Sequence, residues 1–397
     1  MVATVVLCAF LGLLRPADSR SLPSRALAGD GIPVPKFKAD FKKGDTPAQW
    51  ATGYPKKWGS EDSRFQYSVP NPEDRFNAIV TEDEKYLAMF NGSHATFVDL
   101  ESKATVSTFG LSSEFVEIGQ TIRVTPQGGY DLYTDGGSKV FQRRLTSDFK
   151  PTGQLISYLG AIADFQGKNL VTSTGTTFNI YDVSNPNSTT IELKIPSQEK
   201  QASLSSDGQY LSITSLFGDS ADLWNATTGD RILQFPVGGS WLTKISPDGK
   251  YVALSHDGVD VYSLADLAAP PQKLGGFNYR VKQMEWSPDG KYLATGDNGR
   301  MRLWQFPEGQ LMQTWEADFP QEYTMQISGL TWLDGGNKIS WIYRYGRYMY
   351  DFESNLKYWW TPGYEDQLWG PGGVYFLKKM GSVATLDGDS RVRVWKI

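Results

Sequence analysis

Cysteine is nearly absent from this chain of 397 residues: there is one, Cys8, and it lies close to the N-terminus. Disulfides and cysteine-based zinc sites are therefore excluded from the remainder. Histidine is almost as scarce, with His94 and His256 alone. Neither belongs to a His-x-x-His or His-Glu-x-x-His pattern, so no histidine metal site is expected. There is no Gly-x-Ser-x-Gly nucleophile elbow and no Gly-Lys-Ser/Thr loop to cradle a phosphate. The sequence thus assigns no catalytic residue, no metal ligand and no cofactor. A basic surplus is missing too, since 39 Lys and Arg face 44 Asp and Glu for a formal net charge of -5. That argues against nucleic acid and against an anionic membrane surface as partners.

Long apolar runs are missing after the first residues. Val2 to Leu14 is apolar but too short to span a bilayer, and it stops at Arg15-Pro16. Small residues follow at Ala17 and Ser19, as a signal peptidase prefers. Residues 1–19 therefore read as a secretory signal peptide, and the protein is expected to be secreted. Three Asn-x-Ser/Thr sequons, at Asn91, Asn187 and Asn225, are candidate glycosylation sites in predicted turns.

What the chain has in quantity is aromatic residues and glycine: 13 Trp, 20 Tyr, 20 Phe and 40 Gly. That pairing suits an all-β protein with many tight turns. The turns recur. Trp286-Ser-Pro-Asp-Gly-Lys-Tyr-Leu-Ala is followed by Met301-Arg-Leu-Trp304; Ile245-Ser-Pro-Asp-Gly-Lys-Tyr-Val-Ala by Val259-Asp-Val-Tyr262; and Leu204-Ser-Ser-Asp-Gly-Gln-Tyr-Leu-Ser by Ala221-Asp-Leu-Trp224. In each turn Asp can bond its own backbone and Gly supplies positive φ. The flanking runs are too short for helices and rich in β-formers. Weaker copies begin their second strands at Lys85-Tyr86, Tyr130, Asn169, Asn337 and Ser382. Eight units result, spaced roughly 39 to 47 residues apart.

This pattern resembles the WD40-repeat β-propeller family over roughly residues 64–397. The Gly-His element of that family is absent here, and its Trp-Asp pair is altered to Trp224-Asn225, Trp304-Gln305 and Trp395-Lys396. The resemblance implies an all-β propeller of eight four-stranded blades, or seven should the degenerate unit at 111–158 form none. The last unit ends on its third strand, Val392 to Lys396, so the resemblance implies that an N-terminal strand closes the ring. Arg64 to Val69 is the candidate. Residues 20–63 form an extended arm in which Lys36, Lys38, Lys42, Lys43, Lys56 and Lys57 alternate with Phe37, Phe41, Trp50, Tyr54 and Trp58. It reads either as a grip for an acidic partner or as a tail whose aromatics pack on the propeller, the second being favoured.

The resemblance further implies a non-catalytic binding module that recognises a protein or peptide through its loop face, where the last strand of one blade leads to the first of the next. Two such loops are long, and long loops on a rigid scaffold concentrate recognition. One runs from Glu316 to Gln326 and carries Asp318, Glu322 and Tyr323; the other runs from Thr361 to Gly373 and carries Tyr364, Glu365, Asp366 and Trp369. Together they would form an acidic, aromatic patch for a basic peptide or a glycan. The alternatives are a lactonase- or glycosidase-like hydrolase with carboxylates near the axis, Asp164 and Glu285 being the suspects, and a glycan-binding lectin that uses the aromatics of 341–360. Against the hydrolase, Glu285 aligns with Lys244 of the adjacent unit, and an inter-blade ion pair accounts for both. Against the lectin, alternate strand residues point at neighbouring blades and would be core.

Overall fold

In three repeats the structure begins with the same hydroxyl. Ser205, Ser246 and Ser287 each donate from Oγ to the Asp two residues on, at 2.6, 2.7 and 2.7 Å. The same oxygen accepts the N–H of Tyr210, Tyr251 or Tyr292 at 2.9 to 3.0 Å. Thr81 builds the equivalent turn with Asp83 and Tyr86. Local side-chain bonds of this kind lock a turn against competing backbone conformations. Glycine is required at Gly290, where φ is +70° and an added Cβ would lie 2.9 Å from the Asp248 carboxyl carbon of the preceding repeat. Each turn therefore both reverses the chain and seats against its neighbour.

The computed structural model describes residues 35–397 except 67–76, 92–93, 112–116, 126–127, 186–189, 196–199, 216–220, 238–239, 278, 319–325, 345, 363–372, 388 and 390. Eight antiparallel four-stranded blades form a propeller. Their second strands are Tyr86–Phe90, Tyr130–Asp135, Asn169–Ser173, Tyr210–Ser215, Tyr251–Ser255, Tyr292–Gly296, Lys338–Tyr343 and Ser382–Asp387. These match the starts read from the sequence to within one residue. The degenerate unit forms a complete second blade, Glu117–Val124 to Pro151–Leu159, so the ring has eight blades and not seven. Helix among the described residues is confined to two short 3-10 turns, Asp334–Gly336 and Lys378–Met380.

The first strand of each blade is innermost, and successive first strands pack side by side. Between blades the apolar side chains divide into eight clusters, one per junction among the described residues. Second strands are buried on both faces, as in Tyr130–Asp135 and Lys338–Tyr343. A blade is therefore a fin with two apolar sides. Side chain-to-backbone bonds clip the fins together: Asp135 accepts from the Ile162 N–H at 2.8 Å, Ser203 from the Ile245 N–H at 3.0 Å, and the Trp286 and Trp332 indoles donate to the carbonyls of Lys244 and Glu285 at 3.1 Å.

Closure is made by Ser63–Gln66, which pairs antiparallel with Arg391–Lys396 as the fourth strand of blade eight. Residues 67–69 of the candidate closing strand lie outside the described residues. Tyr375 of blade eight then donates to the Ala78 carbonyl of blade one at 3.0 Å, and Phe65 joins the cluster between those blades.

Upstream of closure the chain runs along the outside. Phe37–Ala39 adds a fifth strand to blade six, while Gln49–Trp50 and Lys56–Lys57 pair parallel with the last strand of blade seven. The ring of Phe41 stacks on Tyr350 at 4.6 Å, and Phe37 and Tyr54 contact Trp315 and Trp360 at 5.7 and 5.6 Å. Packing thus accounts for the arm's aromatics. Several of its lysines also bond inward. Lys38 meets Glu316 and Asp318 at 3.8 and 3.7 Å, and Lys43 and Lys56 donate to the carbonyls of Glu353 and Lys396 at 2.7 and 2.9 Å.

The aromatic segment of blade seven is likewise core: Trp341, Tyr343, Tyr348, Tyr350, Trp359 and Trp360 are all buried. Phe41, although outside every repeat, is 1% exposed within the cluster between blades six and seven. Phe41→Ala should lower unfolding stability by about 3 kcal/mol, as a blade-core truncation does. Urea denaturation measures it; a loss below about 1 kcal/mol would show the arm to be loosely attached.

Candidate functional site

The inner strands decide what the axis holds. On them, fully buried residues alternate with partly exposed ones. Lys244 and Glu285 are of the second kind and meet at 2.6 Å across the junction of blades five and six, with 35% of each side chain exposed. Burial opposes the Lys244 ammonium, but the charge and hydrogen bond of Glu285 outweigh it and raise its pKa. The inter-blade ion pair read from the sequence is present. Asp164 is also engaged: it accepts from the backbone N–H of Leu204 at 2.6 Å and of Phe165 at 2.8 Å. Burial pushes its carboxyl above the usual range. The two suspected axial acids are thus tied into the scaffold in different ways and do not form a carboxylate pair.

A second set of charges lies at the loop face and is almost completely buried. Arg302, on the third strand of blade six, binds Asp297 at 3.1 Å, donates to the Gly276 carbonyl at 2.5 Å and lies 4.7 Å from the Phe277 ring. Arg393, at the same place in blade eight, binds Asp387 at 2.7 Å and Asp389 at 2.8 and 2.9 Å beneath the Trp58 ring. Burial pushes Asp387 up to about 7, against the pull of Arg393 and Arg347. These pairs fix the turns and junctions that make the face.

Arg302 in particular fixes the start of the junction from blade five to blade six, and a pocket of about 540 Å³ opens beside it. Its walls come from four places in the chain. Trp241, from the preceding junction, is held by its N–H to the Ser255 carbonyl at 2.8 Å. Asp257 is the exposed tip of the turn between the second and third strands of blade five. Phe277, Tyr279, Arg280 and Lys282 belong to the junction itself, and Asn298, facing Gln326, is the corresponding turn of blade six. Arg280 and Lys282 both lie over the Trp241 ring, at 5.2 and 4.8 Å from its centre. Burial, and then the charge of Arg280, hold the Lys282 ammonium below its usual range. Such a volume is typical of a small-ligand or side-chain pocket.

The candidate residues of the acidic patch fare differently. Glu316 is in the last strand of blade six and not in the loop, because it pairs with Arg300 on one side and Ala39 on the other, and Phe37 carries the ladder on to Ala317. Its carboxylate meets Arg300 at 2.7 Å and Lys38 at 3.8 Å. Asp318 follows, with its N–H on the Lys36 carbonyl at 2.7 Å. Glu322, Tyr323, Tyr364, Glu365, Asp366 and Trp369 lie outside the described residues. Among the sequons, Asn91 is buried and accepts the His94 N–H at 2.8 Å; Asn225 caps its own turn by accepting from Thr227 and Thr228; Asn187 lies outside the described residues. The blade five–six junction escaped the sequence reading. Its signal is the run Phe277 to Lys282, where two aromatics and two cations crowd a short connection.

Comparison with known proteins bears on the same region. The family model described as WD domain, G-beta repeat matches residues 269–305, which contain that junction. Apoptotic protease-activating factor 1 of Rattus norvegicus is 34% identical over 100 residues, 24% of this chain and 8% of that protein. The computationally designed Ika8 protein superposes with a TM-score of 0.58 at 13% identity, covering 82% of this chain and 98% of the other. The chain is a WD40-like β-propeller. The matched stretch is a small fraction of the rat protein's length, and the likeness to the designed protein is one of fold alone. WD40 propellers generally bind proteins or peptides.

In this WD40-like propeller the Lys244–Glu285 pair should behave as a coupled unit. Lys244→Met alone leaves Glu285 without its partner, so it should cost more stability than Lys244→Met with Glu285→Leu. A double-mutant cycle in urea should give a coupling of roughly 1–3 kcal/mol, and purely additive losses would contradict the pairing.

Proposed function

We propose that this propeller is a secreted, non-catalytic binding module that recognises a protein or peptide through its loop face. The carrying observation is the pocket at the junction of blades five and six. It is the point where side chains from two junctions and two turns converge on a scaffold fixed by buried ion pairs. Recognition surfaces commonly consist of loops on a rigid frame, with an aromatic and an arginine near the centre. Trp241 and Arg280 have that character. The apolar leader in residues 1–19 and the sequon at Asn225 support secretion. The hydrolase reading draws less support, because Glu285 is ion-paired with Lys244 and Asp164 holds two backbone N–H groups. The aromatics of blade seven offer a lectin no platform, since they are core, while Tyr364 and Trp369 lie outside the described residues.

The test compares the two faces of the ring. Partners captured from native extracellular fluid should be lost when Trp241→Ala is combined with Arg280→Ala. They should be retained when Lys250→Ala is combined with Lys291→Ala, which alters exposed turns on the opposite face. Equal loss on both faces, or on the opposite face only, would refute the assignment.

A further inference from the structure

The pocket has a chemical bias that the loop face as a whole does not. Its walls bring two cations, Arg280 and Lys282, to one indole ring and offer one carboxylate, Asp257. Asp257 reaches Arg280 only at 3.6 Å, and its side chain is 92% exposed at the rim, where water screens the attraction. Lys282 sits deeper, in partial burial, where a positive charge gains most from an anion brought beside it. Asn298 contributes a buried Oδ1 with no hydrogen-bond donor, which suits a peptide N–H. Trp241 and Phe277 supply flat apolar walls on which the methylenes of a side chain can lie.

We infer that this pocket receives a glutamate or aspartate side chain from an acidic peptide segment of the partner, its carboxylate set between Arg280 and Lys282 and its aliphatic stem against Trp241. The inference rests on the loop-face reading and narrows it. Its sign differs from that of the acidic patch expected from the sequence, of whose acids Glu316 and Asp318 alone are among the described residues. Those two acids are met by the chain's own Lys38, so this part of the face offers less negative charge than its composition implies. A basic segment would face Arg280 and Lys282 and be repelled. A nucleic acid strand needs a track of cations along its backbone, whereas this pocket offers two, on one indole. A neutral sugar would bring no charge to the two cations.

The test uses the full chain and a fluorescein-labelled ten-residue peptide with Glu at alternate positions, together with its Gln and Lys counterparts and a ten-nucleotide single strand. Fluorescence anisotropy should show binding of the Glu peptide that weakens with salt, and much weaker binding of the other three probes. Arg280→Gln and Lys282→Met should each reduce affinity for the Glu peptide by about tenfold. Asp257→Asn should increase it about two- to threefold, a gain that misfolding cannot produce. No binding of the Glu peptide, equal binding of the Lys peptide or the oligonucleotide, or indifference to all three substitutions would each overturn the inference. The broader reading is tested separately. If capture of the native partner needs Trp241 but tolerates Arg280→Gln and Lys282→Met, the loop face stands and the acidic ligand falls.

Discussion

A blade of this protein has two apolar faces and only one solvent-facing outer edge, and that constraint governs the rest of the molecule. Each of the eight clusters is shared by two blades, so none is complete in isolation. A linear stack would leave two such faces in water. The ring removes them only if the last blade finds a fourth strand, and Ser63–Gln66 supplies it by pairing with Arg391–Lys396. Residues 63–66 and the last strand are thereby made neighbours, and the innermost strands of blades eight and one are joined through Tyr375.

The same segment does more than close the circle. Before it reaches blade eight it lies across the outer edges of blades six and seven, where an unprotected edge would present unpaired N–H and C=O groups. Its aromatics continue the inter-blade clusters outward, and Asp40 pairs with Lys357, which also lies over the rings of Phe37 and Trp50. Three successive blades are thus stitched by one stretch of chain. The pocket opens at the next junction back, between blades five and six. Its geometry depends on Arg302, whose buried bonds to Asp297 and Gly276 hold the wall in place. Rigidity made by ring closure passes into the site through such pairs.

The fold was legible in the sequence because three blades announce themselves locally at one spacing and the weaker copies keep step with them. A Ser or Thr, an Asp two residues later and a Gly specify one turn with one set of hydrogen bonds, and that turn fixes the register of the strands beside it. The Lys244–Glu285 pair was legible for a related reason: residues one repeat apart occupy the same place on adjacent inner strands. The pocket was not legible by these means. Loop length pointed to 316–326 and 361–373, whereas the pocket is formed by shorter connections whose side chains meet only because the ring brings successive junctions together. Nor could local pattern show that Glu316 and Asp318 are met by Lys38, more than two hundred residues away in sequence.

The central claim is closure by the strand at residues 63–66, and a covalent bond across that seam tests it most directly. In a Cys8→Ser background, Ser63→Cys and Val394→Cys replace two residues that face each other in the ladder. Mild oxidation should give a disulfide within one molecule, without loss of native circular dichroism, and should raise the unfolding midpoint, because the bond joins the ends of a very long loop. Failure to form the bond under oxidising conditions, or a bond found only between molecules, would contradict a ring closed in this way.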